Sequence, residues 1–276
     1  MNSPSKFSMS NILTFLIFPL ILFNSFLFSE VYFLPKGLDF AEIKCLYYQT
    51  HHFWNREGKR QETYSDFKRN EIEIKNSFGL TNSDTIGFKS AYDGIQEYLD
   101  GNTYGITDLE INWNHCFFHT NNLLIGSKVI GIIPPQLGYK PSLRYGQFGG
   151  EISIVLNQVI QTSHRKYLIY GDLGYRWYNG FPSDQIRNKL GFFHPLNLKF
   201  SIQIESEIIY GLFNGKSQLN QSLVWMNPNF RLWKGEFQGN YRISNRFLVG
   251  ISCFQFFAGR NVGTSGGFTT KFNLVF

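Results

Sequence analysis

The sequence is poor in charge. Lys, Arg, Asp and Glu make up 17% of its 276 residues, against roughly 25% in ordinary soluble domains. It has only three cysteines, Cys45, Cys116 and Cys253. They form no CxxC or Cys/His spacing, which argues against a zinc site; one disulfide at most is allowed by the count. After residue 30 no apolar run approaches the length of about 18 residues that a membrane helix needs, so a mature chain in a membrane cannot cross it as helices. No helical period stands out. No GxSxG surrounds a serine. The glycines of "AGRNVGTSGG" lack the GK[ST] ending and following helix of a phosphate loop. The net charge of +6 is spread along the chain rather than clustered, which argues against a nucleic-acid partner.

What the chain has is aromatics, 18% of residues with 29 Phe and 15 Tyr, and alternation. Lys6 precedes "NILTFLIFPLILFNSFLFS", residues 11 to 29, which reads as a secretory signal peptide over 1–29. A periplasmic lead-in of 30–40 is expected to follow. From residue 41 to 276 polar and apolar residues alternate with the two-residue period of strands whose faces meet different surroundings. In "EIEIKNSFGL", Ile72, Ile74, Phe78 and Leu80 oppose Glu71, Glu73 and Lys75. In "KYLIYGDLGYRW", Leu173, Tyr175 and Trp177 oppose Asp172 and Arg176. In "GGFTTKFNLVF", Phe268, Phe272, Leu274 and Phe276 oppose Lys271 and Asn273. About twelve such segments follow one another. Short connections such as Thr81–Asp84 and Ile243–Arg246 alternate with long ones such as Asn55–Phe67, Asp93–Gly105 and Tyr210–Asn229.

Charges deep in strands suit a wet lumen, and the opposite faces suit lipid. Backbone polar groups in lipid must be paired internally, so the sheet must close. Short and long connections in alternation match periplasmic turns and extracellular loops. The expected fold class is therefore all-β: a closed antiparallel transmembrane β-barrel of about 12 strands over 41–276, in the bacterial outer membrane. Aromatics near the strand ends, Trp54, Trp177 and Trp233 on one side and Phe117, Phe118, Phe192 and Phe193 on the other, suit the two interfaces.

Strand parity sends Lys44, Glu71, Glu73, Lys75, Lys89, Asp108, Glu110, Lys128, Glu151, Asp172, Arg176, Arg187, Lys189, Lys199, Glu205, Lys234, Glu236 and Lys271 toward the lumen. Both signs are present in similar number, which predicts mutual pairing and little net charge selectivity. Parity also places Cys45 and Cys253 toward lipid and Cys116 inside, so three free thiols are expected. No catalytic residues, metal site or cofactor are read from the pattern. Partners are outer-membrane lipid and, during insertion, the barrel-assembly machinery.

The stretches "EIEIKNSFGLTNSDTIGFKSAY", "GITDLEINW", "GDLGYRWY" and "FFAGRNVGTSGGFTTKFNLVF" resemble Gram-negative outer-membrane β-barrels. The chain is most similar to the transporters of the phenol-degradation MetA-pathway family and the related XagA-like proteins. That resemblance implies passive transport of small apolar or aromatic molecules. It also implies that Phe272, Leu274 and the terminal Phe276 serve as an assembly signal. Two alternatives stay open at this stage: a surface or adhesive protein acting through its long loops, and a barrel-embedded enzyme.

Overall fold

A computed structural model of the chain describes residues 32–97, 101–135, 147–162, 166–180, 182–214 and 229–276. The expected signal segment lies outside these residues, as does most of the Tyr210–Asn229 connection. No helix occurs among the described residues.

Fourteen strands form one sheet: β1 (Asp39–Trp54), β2 (Arg60–Gly79), β3 (Asp84–Glu97), β4 (Gly101–Ile106), β5 (Leu109–His119), β6 (Leu123–Ile133), β7 (Gly149–Gln161), β8 (Lys166–Tyr178), β9 (Gln185–Pro195), β10 (Phe200–Gly211), β11 (Arg231–Arg242), β12 (Phe247–Arg260), β13 (Val262–Gly263) and β14 (Gly266–Val275). Neighbours pair antiparallel in chain order. β1 pairs β2 on one side and β14 on the other, from Phe40↔Val275 to Tyr48↔Gly267, so the sheet closes on itself. Leaving aside the short β4 and β13, twelve strands form the barrel wall. Closure removes every free edge, which is what permits a sheet in lipid.

Four short turns among the described residues carry their own lock. Thr81 Oγ1 accepts the N–H groups of Ser83 and Asp84. Thr120, Asn197 and Ser244 each accept two backbone N–H groups in the same way at the next short turns on that rim. Side chains that bond their own backbone two residues on are the physical reason such residues favour turns. The Asn197 lock corrects one strand boundary. Lys199, expected on a strand facing the lumen, lies before the strand, which begins only at Phe200, because Lys199 N and Phe200 N both donate to Asn197 Oδ1 at 2.8 Å.

The opposite rim differs more from expectation. The connections expected at Asn55–Phe67 and Asp93–Gly105 are largely strand: β1 and β2 continue to pair, past an irregularity between Thr50 and His52, to Trp54↔Arg60, and β3 continues to pair β4 from Tyr92↔Ile106 to Glu97↔Gly101. Beyond the membrane both faces of a hairpin meet water, so the alternation that reveals a strand disappears from the sequence.

The outward face is apolar. Ile154, Ile251 and Phe268 are 62–65% exposed, and Trp113, Trp177 and Trp233 project outward with them. Such a surface would be a large exposed patch in water and is a satisfied one in lipid. Phe192 faces outward as expected, but Phe193 is buried. Adjacent strand residues point to opposite faces, which turns Phe193 inward; Phe117 and Phe118 are both exposed, because the ladder is irregular between Cys116 and Phe118.

Candidate functional site

The interior is where the chemistry lies. One chain of ion pairs runs around it. Lys44 (β1) meets Glu73 (β2) at 3.9 Å, and Glu73 meets Lys89 (β3) at 3.9 Å. Lys89 meets Glu110 (β5) at 2.9 Å, and Glu110 accepts from Arg176 (β8) at 2.9 Å. Arg176 reaches Glu151 (β7) at 2.6 Å, and Glu151 also holds Lys128 (β6) at 3.2 Å and Arg187 (β9) at 3.5 Å. Arg187 continues to Glu207 (β10) at 2.7 Å, Glu207 to Lys234 (β11) at 3.4 Å, Lys234 to Glu236 at 3.3 Å, and Glu236 to Lys271 (β14) at 3.4 Å. Lys189 meets Glu205 at 3.3 Å and Lys128 meets Asp172 at 2.9 Å. On the extracellular half Arg69 grips Asp93 at 2.7 Å and Glu71 at 2.5 Å.

Several of these bonds join strands that are not neighbours. Arg176 to Glu110 spans from β8 to β5, and Lys271 to Glu236 from β14 to β11. Such links reach over the strands between them, two wall strands for Arg176–Glu110 and one for Lys271–Glu236, on the lumen side. They also consume the charge. Buried charges are costly unless paired, and here each cation of the chain has an acid within 4 Å.

Most residues that parity sends inward thus meet in one network, with Glu71 on Arg69 and the Lys189–Glu205 pair beside it. Three others are placed differently. Lys199 lies in the exposed turn that Asn197 locks rather than inside. Asp108 sits in the link between β4 and β5. Lys75 places Nζ 5.9 Å from the centroid of the Phe40 ring. The sequence reading missed Glu207, Arg69 and Asp93. Glu207 shares the parity of Glu205, and Arg69 that of Glu71, so both were readable. Asp93 shares the parity of Lys89 but fell in a segment taken as loop.

Two apolar zones flank the network. Toward the long-loop rim, Tyr48, Phe67, Ile95 and Phe254 are buried together, with Tyr48 packed on Phe67 at 5.9 Å and on Phe254 at 6.2 Å between centroids. Toward the short-turn rim the filling comes from outside the wall. The lead-in expected to lie beneath the barrel enters it. Tyr32 and Phe33 are buried against Val155, Leu168, Tyr170 and Phe193, on β7 to β9 and so across the lumen from β1. Leu34 packs with Phe40, Leu248 and Val275 near β1 itself. The segment is held along its length. Leu34 N donates to Thr85 Oγ1 at 2.8 Å, Asn114 Nδ2 donates to the Tyr32 carbonyl at 2.8 Å, and the Tyr32 hydroxyl donates to Asp172 at 2.8 Å. The wall is shaped to admit it: a Cβ on Gly126 would stand 2.4 Å from the Phe33 ring. This barrier across the lumen carried no sequence signal, since "VYFLPKG" shows neither period nor motif.

Cys45 and Cys253 are exposed on the outer face, Cys116 is half-buried beside the Tyr32–Phe33 cluster, and all three thiols are free. His115 lies on the outer face with Trp113 and bonds Asp84 at 2.8 Å. No group of residues able to hold a metal occurs among the described residues.

No protein-family model matches the chain, and no curated protein matches it in sequence. Among solved structures it is similar to the COG4313 outer membrane channel from Pseudomonas putida F1, with a TM-score of 0.69 and 14% identity over 90% of this chain and 99% of that one. More distant are the NanC porin, with a TM-score of 0.49 and 9% identity over 85% and 98% of the two chains, and the CymD monoaromatic hydrocarbon channel, with 0.46 and 8% over 88% of each. The first likeness extends over nearly the whole chain and establishes the outer-membrane barrel fold.

Proposed function

We propose that the protein is a passive outer-membrane channel for small apolar or aromatic molecules, a transporter of the MetA-pathway kind. One observation carries the reading: the interior holds two apolar, aromatic-rich zones, separated by a belt whose charges are spent on one another. A net field that would sort ions is absent from such a belt. A neutral aromatic solute, by contrast, meets rings at both ends of its path. The short-turn zone already accommodates aromatic side chains, those of Tyr32 and Phe33, against Val155, Leu168, Tyr170 and Phe193. A solute of similar size and polarity is stabilised there by the same burial of apolar surface. Similarity to an outer membrane channel supports the reading at the level of fold.

Purified protein in proteoliposomes tests it. Uptake of a neutral monoaromatic compound should exceed that of an ion or sugar of equal size. A barrel that folds and passes neither overturns the proposal. Faster flux of the charged solute would remove the apolar preference. The adhesive alternative rests on the Tyr210–Asn229 connection, most of which lies outside the described residues.

A further inference from the structure

The chain's net charge of +6 is not shared evenly around the wall: residues 208–276 hold seven Lys and Arg against one acid, Glu236. Lys234 and Lys271 spend their charge on Glu207 and Glu236 inside the barrel. Arg231 and Arg260 have no such outlet. They stand directly opposite each other at the ends of β11 and β12, and Tyr210 on β10 stands opposite Arg231 on its other side. Residues opposed across antiparallel strands share a face, and like charges so placed are destabilising. Here that face is the outer one, marked by exposed Tyr210, Trp233 and Phe257. Neither arginine has an ion pair among the described residues, and the sequence contains no Asp or Glu from Ile208 to Gly235.

Arg231 is nevertheless held in place. Its Cζ lies 3.8 Å from the centroid of the Tyr210 ring and 4.7 Å from that of Phe213. Its buried Nε has no hydrogen-bond partner. Phe213 adopts φ 65°, a left-handed conformation that is costly for a bulky residue and that tends to mark functional sites. A guanidinium fixed between two rings, facing a second arginine and lacking an acid, is a site for an anion from outside the chain. It sits at the long-loop end of the strands, within the outward aromatic belt, at the depth of the outer-leaflet headgroups.

We propose that Arg231, framed by Tyr210 and Phe213 and opposed by Arg260, docks the phosphate of a phosphorylated outer-leaflet lipid. The planar fork of arginine matches phosphate in two-point contact. The rings beside it and the apolar wall below suit the acyl chains that such a phosphate carries. Free phosphate shares the charge but gains nothing from that wall.

Titration of the detergent-solubilised protein tests this with three probes: a purified phosphorylated outer-leaflet glycolipid, the same lipid after dephosphorylation, and inorganic phosphate. The phosphorylated lipid should bind best, and Arg231→Gln should weaken it about tenfold, the loss of one charge-assisted hydrogen-bonded contact. Heat-modifiable gel mobility checks that the variant folds; should it not, Arg260→Gln gives the same comparison. Equal binding by wild type and variant, indifference to dephosphorylation, or inorganic phosphate binding as tightly as the lipid overturns the proposal. Conductance is read separately: Arg231 lies on the outer wall, so its loss should leave flux unchanged, and a failed transport reading would not touch this one.

Discussion

Releasing the segment that crosses the lumen should open the channel. In the Tyr32→Ala/Phe33→Ala double variant the segment loses both rings that pack against β7 to β9. Tyr32 and Phe33 are 7% and 8% exposed. Burial of two such side chains contributes about 3–6 kcal/mol. Fixing the backbone of three residues costs about 3–6 kcal/mol, so the rings are what offsets the ordering of Tyr32–Leu34. The variant also loses the hydroxyl's bond to Asp172, about 1.5–3 kcal/mol for a charged acceptor. What remains, Leu34 and two backbone contacts, leaves the held and released states near parity. A loss of about 4.5–9 kcal/mol that ends near parity starts from a released state populated below about 0.1%, which then rises to tens of per cent. Single-channel recording in planar bilayers should show a larger mean conductance with frequent transitions between levels. Unchanged conductance, in a variant whose heat-modifiable mobility shows an intact barrel, would refute the assignment of this segment as the barrier.

Four further outcomes are expected. Cys116, half-buried beside the same cluster, should react slowly with a small water-soluble thiol reagent and markedly faster in that double variant. Gly126→Leu puts a Cβ 2.3 Å from the His115 carbonyl oxygen of the wall and 2.4 Å from the Phe33 ring, so it should lower the urea midpoint of folding as well as raise conductance. Glu151→Gln leaves Arg176, Lys128 and Arg187 short of their shared acid and should cost about 3–5 kcal/mol, read as a lower urea midpoint in folding titrations. Non-reducing gels should show no intramolecular disulfide, since Cys45 and Cys253 are on the outer face of non-adjacent strands and Cys116 is inside.

The barrel was legible because lipid imposes the strictest version of strand alternation. Each residue of the span meets either hydrocarbon or a wet interior, so Ile72 and Glu73 declare their faces individually. Legibility stops where that contrast stops. Above the membrane the β1–β2 and β3–β4 extensions meet water on both faces, and their pattern vanishes. Parity named the charged interior residues one by one, but it could not say which would meet. The pairing of Arg176 with Glu110 depends on the curvature that brings β8 toward β5. Likewise nothing in "VYFLPKG" announces that it turns into the lumen. That outcome is set by cavities elsewhere, such as the absent side chain of Gly126.

The neutralised belt and the crossing segment bear on one another. An open lumen with a connected ring of charges would be filled by water and would conduct ions freely. Tyr32 joins the two systems, with its ring in the apolar cluster, its hydroxyl on Asp172, and Lys128 Nζ 5.6 Å from the ring centroid. Asp172 and Lys128 are themselves bound to one another and, through Glu151, to the rest of the belt. Displacing Tyr32 therefore leaves an ion pair that remains internally satisfied, so the belt does not have to break for the segment to move. The cost of opening falls on apolar burial and on the Tyr32 hydroxyl's bond to Asp172, and a solute that buries comparable apolar surface in the same place offsets the larger part. A polar solute offers no such compensation. Under the proposed function, selection for apolar cargo would follow from which solutes can replace the rings of Tyr32 and Phe33, not from the width of a permanent pore.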